Sequence, residues 1–285
     1  INGTTVGGVS VSTSAFSGGQ SYSVPTTVTN IGAGTAASSS FQRVDIVPST
    51  TTYPKATTRV DCGTTPGVCT YAEEMTNFAN WYAYYRTRMQ TMKSAAGQSF
   101  LSLNNEYRLG FTTINNTSFS GTSGSRWLAL SALDSTQKQS WYSKLYAQNP
   151  SGSTPLRLAL DRMGQLYEGT LSGAPNPIEY SCQQNFTILT TDGYWNGGTN
   201  SSIGDQDNVE STARFCNREN GCYDGNLGGG AAQSLADVAL YYYYRDLRTS
   251  NCNSGVSGAD VCTDNVPTST KDPNPAQHMT TFTLG

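Results

Sequence analysis

Two side chains in this sequence stand where ligands usually bind. Asp192 ends the run Asn185-Phe-Thr-Ile-Leu-Thr-Thr-Asp-Gly, which reads as a strand of about six residues stopped at Asp192-Gly193. In open parallel sheets ligands gather beyond the carboxyl ends of the strands, so a carboxylate delivered there is placed for chemistry. The same Asp-Gly pair also suits a plain turn. Thr154 lies in Asn149-Pro-Ser-Gly-Ser-Thr154-Pro155, where Pro155 fits the first position of a helix and Thr154 its N-cap. As a cap, Thr154 would satisfy a helix amide and have no further role.

The remaining reactive side chains are mostly cysteines. Cys62 and Cys69, Cys216 and Cys222, and Cys252 and Cys262 form three local pairs in turn-rich segments, which read as disulfides closing small loops. Zinc is a weaker reading, because the sequence has no Cys-x-x-Cys and a single histidine, His278. Cys182 is left over, either a buried thiol or the partner of a cysteine on another chain. His278 lies in a strand-like stretch without a nucleophile elbow, so it is read as structural and the chain as no hydrolase. Asp205 and Asp207 lack full calcium-loop spacing and read as a solvated turn. Gly228-Gly-Gly is followed by no Lys-Ser/Thr, which argues against a phosphate-binding loop.

The elements that must position these residues are legible in outline. The 285 residues suffice for one large domain or two small ones. Only 13% are charged and the net charge is -3, which argues against nucleic-acid binding and suits a polar extracellular surface. No apolar run approaches the roughly 20 residues of a membrane span. No signal peptide opens the chain, so export would mean that the signal has been removed. Residues 1–69 are Ser/Thr/Gly-rich, with alternation at Val9–Ser12 and Ser21–Val28 and a strand-like Phe41–Pro48; they read as an arm or insertion.

Order changes at residue 70. Thr70-Tyr-Ala-Glu73 is a capping box. Phe78, Tyr82, Tyr85, Met89, Met92, Ala96, Phe100 and Leu103 then recur in steps of four and three, predicting one helix of about eight turns with this stripe in the core. Arg86, Arg88 and Lys93 lie off the stripe and are expected in solvent, with one of them available to a carboxylate on a neighbouring element. A strand is expected near Tyr107–Ile114, a helix over 135–147 capped by Asp134, and a helix after Pro155 with apolar side Leu156, Ala159, Leu160, Met163 and Tyr167. A long loop over 193–229, a helix over 231–248 and a strand at Met279–Leu284 complete the chain. The alternation of strands and helices predicts an α/β fold with a mainly parallel sheet.

Read together, Gly-Ser-Thr154-Pro-Leu-x-x-Ala-Leu before a helix and Ile-Leu-Thr-Thr-Asp192-Gly at a strand end resemble two segments of the metal-ion-dependent adhesion site of von Willebrand factor A domains. That resemblance implies a doubly wound, mainly parallel sheet over residues 70–285, with Thr154 and Asp192 helping to hold a divalent ion. All-oxygen ligation suits Mg²⁺ or Ca²⁺. The family's first segment, D-x-S-x-S, does not occur here, so the resemblance implies an incomplete domain lacking its first strand. Longer stretches, Arg59–Met89, Cys182–Asn196, Ser234–Tyr243 and Gln277–Gly285, resemble the N-terminal region of the PilC/PilY type IV pilus tip adhesins. This second resemblance implies an extracellular protein at the pilus tip that primes pilus assembly beside minor pilins and attaches to host-cell or abiotic surfaces. Its alternative is a purely structural tip subunit docking on minor pilins, with a vestigial metal site.

Overall fold

The computed structural model describes residues 5–6, 9–10, 44–63, 65–121, 124–198, 200, 202–204, 206, 234–253 and 260–284. The chain divides into two compact units, residues 1–83 and 84–285.

In the first unit, β1 (Thr5–Val6) pairs antiparallel with β2 (Val9–Ser10), so Val9 and Ser10 of the first alternating stretch are in a strand. The Ser21–Val28 stretch lies outside the described residues. Residues 44–47 are not a strand; the pairing segment is β3 (Thr52–Pro54), antiparallel to β4 (Val68–Thr70). Tyr53 is buried there, and its hydroxyl accepts from the Val47 amide at 2.8 Å. The Cys62–Cys69 disulfide closes this hairpin with Cα atoms 5.5 Å apart. The hairpin leads into helix α1 (Tyr71–Tyr84) through the expected capping box. Glu73 accepts from the Thr70 amide at 2.8 Å, and Thr70 Oγ1 accepts from the Glu73 amide at 3.3 Å. Arg59 bridges Glu74 and Asp61, tying the hairpin to the first helical turn.

The eight-turn helix is not formed. α1 ends at Tyr84, and helix α2 (Arg88–Ser99) starts anew from a second capping box, in which Thr87 and Gln90 satisfy each other's amides at 3.2 and 3.0 Å. A Thr-x-x-Gln sequence supplies a new helix start even where the apolar stripe runs through it, and that local signal prevails here. The core assignment also fails for the first half of the stripe. Phe78, Tyr82 and Tyr85 are exposed and α1 has no buried residue, whereas Ala96 and Phe100 beyond the break pack against buried Trp141 and Leu145.

In the second unit, β5 (Arg108–Thr112) and β6 (Trp127–Ala132) pair antiparallel with an irregularity between Leu109 and Phe111. Helix α3 (Ser135–Ala147) begins where expected, with Asp134 accepting from the Gln137 amide at 2.8 Å. Alternation along β6 sends its side chains both ways. Leu128 packs with Trp141 and Leu145 of α3, while Trp127 packs with Phe119 and with Leu166 of helix α4 (Leu156–Glu168).

α4 also faces the largest cluster, in which Leu160 and Tyr167 meet Val238 and Tyr242 of helix α5 (Leu235–Tyr244) and Met279 of β8 (Met279–Leu284). Gly164 allows this approach, since a Cβ there would lie 2.3 Å from the Tyr242 ring. α5 is shorter than expected. Ser234 and Asp237 form its capping box, Arg245 is already extended, and residues 231–233 lie outside the described set. β7 (Asn185–Thr190) pairs with β8 in parallel, Asn185 opposite Met279 through Thr190 opposite Leu284. Every sheet among the described residues is two-stranded, and β7–β8 is the parallel one.

The candidate cation-binding loops

The carboxyl ends of β7 and β8 define the place to look. The ladder runs one step past β7, with the Thr191 amide donating to Leu284 O at 3.0 Å. The Thr191 hydroxyl then accepts from the Gly193 amide at 3.3 Å, and Gly193 takes φ 137°, so the chain turns as soon as it leaves the sheet. Asp192 lies in that turn with its side chain 61% exposed.

Thr154 reaches the same place from the other side of the sequence. α4 starts one residue later than expected: Pro155 is its N-cap, Pro155 O accepts from Ala159 at 2.9 Å, and no side chain caps the helix. The Thr154 hydroxyl is therefore no cap. Its backbone is engaged instead by Asn196, whose Oδ1 accepts from the Thr154 amide at 2.8 Å and whose own amide donates to Thr154 O at 3.0 Å. Arg157 adds to the clasp, donating to Gly197 O at 2.9 Å with its guanidinium 6.0 Å from the Trp195 ring centre. Asn115, in the loop after β5, donates to Ser153 O at 2.7 Å and Ser151 O at 3.2 Å. Thus three loops, after β5, before α4 and after β7, converge and carry Thr154 and Asp192 with them.

Asn196, Asn115 and Arg157 were not read as site residues from the sequence. Local pattern gives no sign of them, because each acts on a backbone group some 36 to 42 residues away.

Asp192 has a cationic neighbour. The guanidinium of Arg88, first residue of α2, donates to Asp192 Oδ2, and its side chain is 84% exposed. This is the carboxylate partner allowed for one of the three basic residues of the stripe. Lys93 instead donates to Tyr146 O at 2.8 Å. The hydrogen bond from Arg88, and then its charge, hold the Asp192 carboxyl below the usual carboxylate range. Thr154 and Asp192 offer one neutral and one charged oxygen, hard ligands of the type Mg²⁺ and Ca²⁺ prefer, but these ions take roughly six or more oxygens. The two residues fit the chemistry and fill only part of a coordination sphere.

Other sequence candidates are also located. The Cys252–Cys262 disulfide is formed, with Cα atoms 5.0 Å apart. These two sulfurs and a carboxylate oxygen of Asp260 lie within 4.8 Å of one another. The sulfurs are bonded to each other, so neither is a thiolate and the group lacks the charge that holds a soft metal. Cys182 carries no disulfide and is exposed, which corrects the reading of a buried thiol. Cys216, Cys222, Asp205, Asp207 and Gly228–230 lie outside the described residues.

His278 is buried between Ala276 O at 2.6 Å and Asp272 Oδ2 at 3.2 Å, edge-on to Tyr243, whose hydroxyl donates to the same Asp272 at 2.9 Å. This packing gives the histidine a structural place in the fold. No helix among the described residues is long and apolar enough to cross a membrane.

No family model matches the chain. No solved structure matches it significantly. Curated sequences do. The chain is 35% identical over 228 residues to the type IV pilus biogenesis factor PilY1 of Pseudomonas aeruginosa strain UCBPP-PA14, a match covering 73% of this chain and 18% of the relative. Its counterpart in strain PAK is 31% identical over 232 residues, and that in strain PAO1 32% over 238, each covering 75% of this chain and 20% of the relative. The chain therefore spans about a fifth of the length of the curated relatives it matches. Similarity at this level across about three quarters of the chain supports its kinship with the PilC/PilY proteins of type IV pili.

Proposed function

We propose that this chain is the part of a type IV pilus biogenesis factor that meets a surface: an adhesion module at the pilus tip, outside the cell, built on a von Willebrand factor A-like, doubly wound fold. Thr154 and Asp192 contribute to a divalent-ion site, Mg²⁺ or Ca²⁺, through which a host-cell or abiotic surface ligand is held, while other faces dock on minor pilins. The observation that supports this most is the convergence of the Thr154 and Asp192 loops beyond the carboxyl ends of the parallel β7–β8 pair, fastened by Asn196.

The Arg88–Asp192 pair favours a second reading, because a carboxylate already matched by a guanidinium can be a strut. In that reading the chain is a structural tip subunit docking on minor pilins, and the ion site is vestigial. One substitution separates the two. With Asp192→Ala in the full-length protein, adhesion is expected to fall at least severalfold while pilus number per cell stays at the wild-type level. Unchanged adhesion would remove the first reading in favour of the second. Neither reading involves turnover of a substrate, and the named relatives are biogenesis factors.

A further inference from the structure

We propose that Arg88 is a tethered cation that competes with a divalent ion for the Asp192 carboxylate, so that ion binding is weakened for as long as the guanidinium is in place. This rests on the reading of Thr154 and Asp192 as ion ligands. Both ends of the pair are fixed at their backbones. Arg88 leaves α2 at its first residue, immediately after the Thr87–Gln90 capping box. Asp192 is set by the Thr191–Gly193 turn and by the Thr191–Leu284 hydrogen bond. The two residues are 104 apart in sequence, so their meeting is tertiary.

The arm between these fixed points is loose. Arg88 is 84% exposed, and its guanidinium can exchange the carboxylate for water at little cost. A bound guanidinium neutralises Asp192 and adds a positive charge where a dication would arrive. Ion binding at Asp192 therefore has to expel Arg88 or accept like-charge repulsion a few ångströms away. An exposed pair of this kind sets a modest threshold, and screening by salt lowers it.

The test is calorimetric titration of the full-length protein with Mg²⁺ and, separately, Ca²⁺ at about 20 mM ionic strength, where the Debye length exceeds the pair's reach. Arg88→Gln is expected to bind the ion about threefold to tenfold more tightly than wild type, with the gap shrinking in about 0.5 M salt. Arg88→Lys, which keeps the charge, is expected within about twofold of wild type. The Arg88 Nε–Hε NMR signal of the wild-type protein should move toward that of a free guanidinium as the ion saturates. Saturable binding with equal affinity in wild type and Arg88→Gln, or an unmoved Arg88 signal at saturation, would overturn the competition while leaving the ion site standing. If neither protein binds either ion, the ion-site reading fails, and the competition with it.

Discussion

Asp161 and Asp192 are the same residue type in opposite surroundings. Asp161 points from α4 into the core, is 3% exposed, and accepts from the Tyr242 hydroxyl at 2.7 Å, Gln165 Nε2 at 2.8 Å and Asn200 Nδ2 at 3.4 Å. Asp192 stands on a turn at the sheet's carboxyl edge with Arg88 against one oxygen and more than half of its side chain in solvent. The first carboxylate is spent within the protein: its donors join α4, α5 and the loop at residue 200, and burial together with this negative neighbour pushes the Tyr242 hydroxyl well above the usual phenol range. The second holds no core together and keeps coordination capacity facing outward. A buried acid with several donors is part of the architecture of this chain, whereas an exposed acid with one guanidinium partner is free to change partners without disturbing the core.

The largest effect expected from this contrast is on stability. Asp161→Ala strands the buried Tyr242 hydroxyl and removes the acceptor of two half-buried amide groups, and should cost about 3 kcal/mol, read by urea denaturation of the chain. Asp192→Ala should stay within about 0.5 kcal/mol by the same measurement, as surface changes do. A loss at Asp192 as large as that at Asp161 would end the distinction between them.

A second test moves to alkaline pH. Burial pushes the Tyr167 hydroxyl, which donates to Phe186 O at 2.9 Å beneath β7, up to about 12. Because the folded pKa lies above the unfolded value of about 10, the folded state favours the protonated phenol. Its contribution is complete below pH 10 and is lost as pH rises toward 12, amounting to roughly 3 kcal/mol. The stability of Tyr167→Phe should accordingly fall less steeply than wild type over that range.

The smallest effect lies at the site itself. The Asp192 carboxyl is held below its ordinary value, so the stabilisation from its pair with Arg88 is present above about pH 4 and fades as pH falls through the lowered folded pKa. Carboxyl-carbon NMR titration should place the Asp192 midpoint below the normal aspartate value and return it there in Arg88→Gln. An unmoved midpoint would mean that the pair is not populated in solution.

Much of the second unit was legible because its signals are local. Asp134 three residues before Gln137, the apolar period from Leu156 to Tyr167, the β-branched run before Asp192-Gly193 and the closely spaced cysteines each state a structure within one or two turns of chain. Where two local signals met, the pattern misled. The stripe through Tyr85 predicted one helix, yet Thr87-x-x-Gln90 begins another, and periodicity alone cannot say which apolar faces find partners. Thr154 was placed one position off because Pro155 serves as N-cap itself.

The sequence by itself determined α3, the helix after Pro155, β7 and β8, and it placed a threonine before a helix and an aspartate after a strand, since each of these depends on neighbours within a few bonds. Tertiary structure decided what those residues can do. Asn196 brings their loops together across 42 residues, and Arg88 meets Asp192 across 104. Such contacts arise only once α4 packs against β7 and α2 against α3, and no local pattern encodes which backbone carbonyl or guanidinium will be waiting there.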